Sequence, residues 1–216
     1  ATLPLPFYFL IGGLLSIFMP KGVIKSSFVC LVPILALIAL LNGTWDEGFK
    51  VQFLDLELNF MRVDKLSTVF GIIFCIAAFL GNVFAFHLRE STQPFVALIY
   101  AGAAIGAVFA GDLITLFVYW ELTAISSVFL IWARKTEGAY HSGMRYLIIQ
   151  VLSGVILLFG VALFYFETGS ISFVKMQLDS LATALIFIAF GIKCAFPFMH
   201  NWLQDSYPSA TITGTV

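Results

Sequence analysis

Two ionisable residues, Glu121 and Lys193, stand well inside apolar runs of the chain. A lysine at such depth in a bilayer costs roughly 2.5–3.5 kcal/mol even on lenient insertion scales. An acid and a base on different helices offset much of that cost by facing each other across a bundle. Such a pair also suits stepwise proton movement, because each partner responds to the charge of the other. The same pair could instead be a static clamp that locks two helices together. Residue chemistry leaves both readings open.

Polar neighbours surround both residues. Thr123, Ser126 and Ser127 follow Glu121 in ELTAISS, with Tyr119 before it. Their hydroxyls could hydrate a carboxylate, although Ser and Thr in membrane helices often bond their own backbone. Four residues after Lys193 comes Pro197, which has no N–H for the carbonyl of residue 193, so a helix break is expected between Gly191 and Pro197. On a continuous helix His200 would lie about 700° from Lys193 and face nearly the same way. Its reference pKa of about 6.5 suits a proton relay, and a hydrogen-bonded helix end is the alternative. Arg145 and His141 form either an interfacial snorkelling pair or, with Arg145 turned inward, a charge line continued by Gln150 and Ser153. Asp205 marks a cytoplasmic mouth or a solvated tail. Trp120, Trp132 and Trp202 are expected as packing or interface anchors. Cys30, Cys75 and Cys194 lack C-x-x-C spacing and are expected as reduced, buried packing residues. Neither a metal site nor a cofactor is expected, because clustered ligands, a haem-ligand His pair and a flavin motif are all missing. A quinone-reducing enzyme is therefore poorly supported, and no catalytic site is expected in this chain.

The elements that must position these residues follow from composition. The chain is 61% apolar and 11% charged, against about 25% charged in soluble domains, and its mean hydropathy is +1.01. That predicts an all-α membrane protein with roughly seven spans in a single integral domain, residues 1–216, and excludes nucleic-acid binding for want of a basic stripe. The N-terminal residues lack a basic region and a cleavage site, so they are expected to form a first span in a chain that, without an initiator Met, was processed or trimmed. The spans are expected near 3–19, 23–41, 66–86, 94–110, 113–132, 144–166 and 178–202, the seventh broken near Lys193–Pro197. Between the second and third, near-alternation from Val51 to Phe60 predicts a short hairpin outside the bilayer. Gly102, Gly106 and Ala110 offer a smooth face for a neighbouring helix. The odd loops carry Lys21, Lys25, Arg89, Arg134, Lys135 and Arg145. The even loops carry Lys50, Arg62, Lys65 and Lys175, and eight acids, Asp46, Glu47 and Asp55 among them. The basic bias places the odd loops and the C-terminus in the cytoplasm and the N-terminus outside a cell membrane.

The segments GDLITLFVYWELTAISSVFLI, HSGMRYLIIQVLSG, ETGSISF and GIKCAFPFMHNWLQDSYPSA, with MRVDKLS before the third span, resemble one family in order and spacing. It is the antiporter-like subunit family shared by respiratory complex I, Mrp-type sodium/proton antiporters and membrane-bound hydrogenases. The chain resembles the N-terminal half of the D-type Mrp subunit. The resemblance implies that Glu121 matches the acid of the fifth helix and Lys193 the lysine of the broken seventh, a pair coupled to proton movement. Arg145 falls near a sixth-helix lysine, and an arginine cannot release its proton in practice. Members of the family carry about fourteen helices in two inverted five-helix units, whereas this sequence stops where an eighth helix would begin. Either a split gene leaves the rest to a second-half antiporter chain or the sequence is a fragment; the expected partners are that second-half chain and other membrane subunits, in a lipid bilayer, with protons or sodium as the transported ion.

Overall fold

Each apolar run predicted as a span forms a helix, and polar groups rather than propensity decide where most of these helices start. The computed structural model describes residues 3–43, 45, 49–54, 56–87 and 92–215. The loop charges Asp46, Glu47, Asp55, Arg89 and Glu90 lie outside the described residues. The elements are α1 (Leu5–Phe18), α2 (Val23–Asn42), β1 (Phe49–Phe53), β2 (Leu56–Met61), α3 (Lys65–Phe84), α4 (Thr92–Phe109), α5 (Leu113–Trp132), α6 (Glu137–Thr168), α7 (Leu181–Lys193), α8 (Asn201–Ser206) and α9 (Ile212–Thr215). Asp64 and Ser67 form a capping box that opens α3, and Ser180 with Thr183 forms another that opens α7. Asp112 and Thr136 cap α5 and α6.

Among the described residues, α2, α3, α4, α5 and α6 are long and apolar enough to cross a membrane, whereas α1 and α7 are shorter. The 32-residue α6 starts at Glu137, about two turns before the expected span. At 1.5 Å per residue it is about 48 Å long and projects past a hydrocarbon core of about 30 Å. Its first turns carry His141 and Arg145.

Pro33 lies inside α2 and deprives the carbonyl of Val29 of its helical donor. Asn82 of α3 supplies the replacement, donating from Nδ2 to Val29 O at 3.1 Å. The Gly102–Gly106 face of α4 serves two partners: Gly102 lets Phe9 of α1 approach, and Gly106 receives the ring of Tyr119 from α5. One apolar cluster joins α1–α4 around Phe9, Leu40 and Phe109, and another joins α5–α7 around Trp120, Leu157 and Ile186.

β1 and β2 pair antiparallel as the expected hairpin. The hairpin is tied down at the α4–α5 turn. Asn59 N–H donates to Asp112 Oδ2 at 2.7 Å, Gly111 N–H to Asn59 O, and Leu113 N–H to Ile171 O in the α6–α7 linker. One turn thus gathers the hairpin, two helix ends and the linker.

Candidate functional site

α7 stops at Lys193, and the chain does not resume a helix until Asn201. The interruption goes further than a missing proline N–H requires. Ala195 and Phe198 both adopt positive φ, 54° and 71°, a region costly for residues with a Cβ. Phe196 N–H turns back to Gly191 O at 2.9 Å. The indole of Trp202 donates to Ile192 O at 2.9 Å and so caps the broken end. The 700° relation between Lys193 and His200 needed an unbroken helix and does not hold. His200 is half-buried before α8. Cys194, expected as a buried packing residue, is exposed at the break, while Cys75 is buried and Cys30 half-buried.

The Lys193 side chain turns inward toward α5. Its Nζ donates to the carbonyl of Trp120 at 3.3 Å and lies 5.0 Å from the centroid of the Trp120 ring, a cation–π arrangement. Trp120 is held in place by its indole, which donates to Ser153 Oγ on α6 at 3.1 Å, and by edge contact with Phe190 on α7. Trp120 was expected as a packing residue or interface anchor; it is packed in the core and is also the floor on which the lysine rests. Its position immediately before Glu121 was the signal available.

Glu121 adjoins the residue on which Lys193 rests but makes no direct ion pair with that lysine, for no oxygen–nitrogen approach within 4.0 Å joins them. Glu121 points instead toward α6, where only the absence of a side chain at Gly154 leaves room for Oε1. That oxygen is buried and has no hydrogen-bond partner.

A cavity of about 360 Å³ adjoins Lys193, walled by Thr123, Ser127, Tyr146, Gln150 and Trp202 and, from the C-terminal segment, by Tyr207, Ala210 and Gly214. Thr123 and Ser126 bond backward to the carbonyls of Trp120 and Leu122, both at 2.6 Å. Ser127 also meets the Tyr146 hydroxyl at 2.7 Å. Gln150 is 1% exposed, and neither its nitrogen nor its oxygen has a partner.

Arg145 lies outside this group. Its guanidinium grips Asp205 with two bonds, Nε–Oδ2 at 2.6 Å and Nη2–Oδ1 at 2.9 Å, and its side chain is more than half exposed. The Arg145 hydrogen bonds hold the Asp205 carboxyl below the usual carboxylate range. Ser142 and Ser209 complete the clasp. Arg134 adds a bond to Pro208 O.

Residues 110–216 match the family described as NADH:quinone oxidoreductase/Mrp antiporter, TM. One Na(+)/H(+) antiporter subunit of Alkalihalophilus pseudofirmus is 30% identical, over 72% of this chain and 22% of its own length. Another Na(+)/H(+) antiporter subunit of the same organism is 25% identical, over 97% of this chain and 48% of its own. A chain of respiratory complex I from Thermus thermophilus superposes with a TM-score of 0.81 at 21% identity, covering 97% of this chain and 48% of that one. The chain thus spans less than half the length of these relatives.

Proposed function

Because this chain belongs, through residues 110–216, to the NADH:quinone oxidoreductase/Mrp antiporter family of multi-pass membrane subunits, we propose that it translocates protons, or exchanges sodium for protons, through Glu121 and Lys193. One observation carries the reading: the Lys193 ammonium is held inside the bundle on Trp120, beside a cavity partly lined by hydroxyls and the Gln150 amide, and one residue from a carboxylate that it does not touch. A charge free to change partners suits a relay. A static clamp would be expected to close into direct contact, as Arg145 and Asp205 do.

In this reading α1 and α7 also enter the bilayer, and the broken segment after α7 brings α8 out at the cytoplasmic edge. The N-terminus lies outside and the C-terminal segment faces the cytoplasm. Other membrane subunits are its partners in this reading. Lys193→Ala and Glu121→Gln should each abolish ion flux, measured with a pH-sensitive dye in vesicles containing the assembled complex. Loss of assembly in place of loss of flux would favour the clamp.

A further inference from the structure

Among the described residues, the buried side-chain atoms without a hydrogen-bond partner are Tyr119 Oη, Glu121 Oε1, and both Nε2 and Oε1 of Gln150. Three of these four belong to Glu121 on α5 and Gln150 on the neighbouring α6. A buried amide that satisfies neither its donor nor its acceptor is rare in folded proteins. So is a carboxylate oxygen with none. The coincidence of the two at one helix interface is what needs a cause.

The geometry of α6 supplies it. Glu121 Oε1 rests where a Cβ of Gly154 would be, and Gly154 is four residues, one helical turn, beyond Gln150. Side-chain origins at that spacing lie on one face about 5–6 Å apart. A glutamine has three rotatable side-chain bonds, and a rotamer extended toward Gly154 spans much of that gap. Gln150 also walls the cavity beside Lys193. Glu121 therefore has two donors in reach, the Lys193 ammonium toward α7 and the Gln150 amide along α6, and is bonded to neither.

We propose that Gln150 is the alternate partner of Glu121: its amide N–H takes hold of the carboxyl when Lys193 swings away, and releases it when the lysine returns. This makes Gln150 a positioning residue for the relay and rests on the translocating reading of Glu121 and Lys193. Gly154 is the opening that lets the carboxyl travel between the lysine and the amide.

The test is Gln150→Met, which keeps the volume and removes the amide, in the full chain assembled with its membrane partners. We expect flux to fall at least tenfold while thermal stability is unchanged or raised, because no existing bond is lost. The infrared band of the Glu121 carboxyl, identified by its disappearance in Glu121→Gln, should shift in Gln150→Met, and Gln150→Asn should recover part of the flux. Unchanged flux and an unshifted band would overturn the proposal. So would a parallel fall in flux and melting temperature, which would mark Gln150 as a structural residue. Lys193→Ala is run alongside: if it leaves flux intact, the translocating reading itself fails. If it abolishes flux while Gln150→Met does not, only the role of Gln150 fails.

Discussion

At the scale of single residues, the site is governed by what a side chain is not bonded to. Glu121 occupies space that only a glycine at position 154 provides. Gly154→Ala should therefore expel the carboxyl from its pocket, cut ion flux severalfold, and cost about 1–3 kcal/mol from overpacking. Flux assays and thermal unfolding in detergent would separate the two effects. Asn82 is the opposite case, a polar residue whose value lies in one bond. Replacing it by Ala leaves the Val29 carbonyl orphaned at the Pro33 break, and about 1 kcal/mol of stability should be lost. That loss should be recovered if Pro33→Ala restores the helical donor. Glu121 and Lys193 were legible in the sequence because charge inside an apolar run is conspicuous. Trp120, Gly154 and Asn82 were not, because an aromatic, a glycine and an amide carry no comparable signal until their neighbours are known.

At the scale of elements, the break after α7 is two devices joined. The proline was readable, and so was the end of the helix at Lys193. Positive φ at Ala195 and Phe198 was not, since neither residue type favours it. Nor could sequence show that α8 would be pinned to α6 through Arg145 and Asp205, 60 positions apart. Because Asp205 is more easily ionised in the folded protein than in an unfolded chain, its contribution is complete above about pH 4, the unfolded value. It vanishes as pH falls through the lower folded value. Hydrogen exchange should accordingly show amides 201–206 equally protected at pH 7 and pH 5, with protection declining below pH 4 before α7 loosens. Asp205→Asn should produce the same loosening at neutral pH, and Arg145→Asp combined with Asp205→Arg should reverse it.

For the whole molecule, spacing and apolarity made the helices and the hairpin legible, because a bilayer demands long apolar segments and an alternating strand sits outside them. Their mutual arrangement depended on Asp112, whose carboxylate accepts from Thr115 N–H, Thr115 Oγ1 and Asn59 N–H, each at 2.7 Å. In the sequence it was one more loop acid. Asp112→Ala should cost roughly 2–3 kcal/mol by removing a cap and a buried tether together. The hairpin, probed by protease access near Leu54, should open with it.

That tether also sets an order of assembly. Asn59 must wait for Asp112, 53 residues later, and Leu113 must wait for Ile171. Non-local contacts of this length are slow to close and leave earlier segments unpartnered meanwhile. During synthesis the hairpin would thus stay loose until the α4–α5 turn has emerged, and that turn would stay open until the end of α6 follows. The turn that unites the finished molecule is the last part of its first six helices to be sealed.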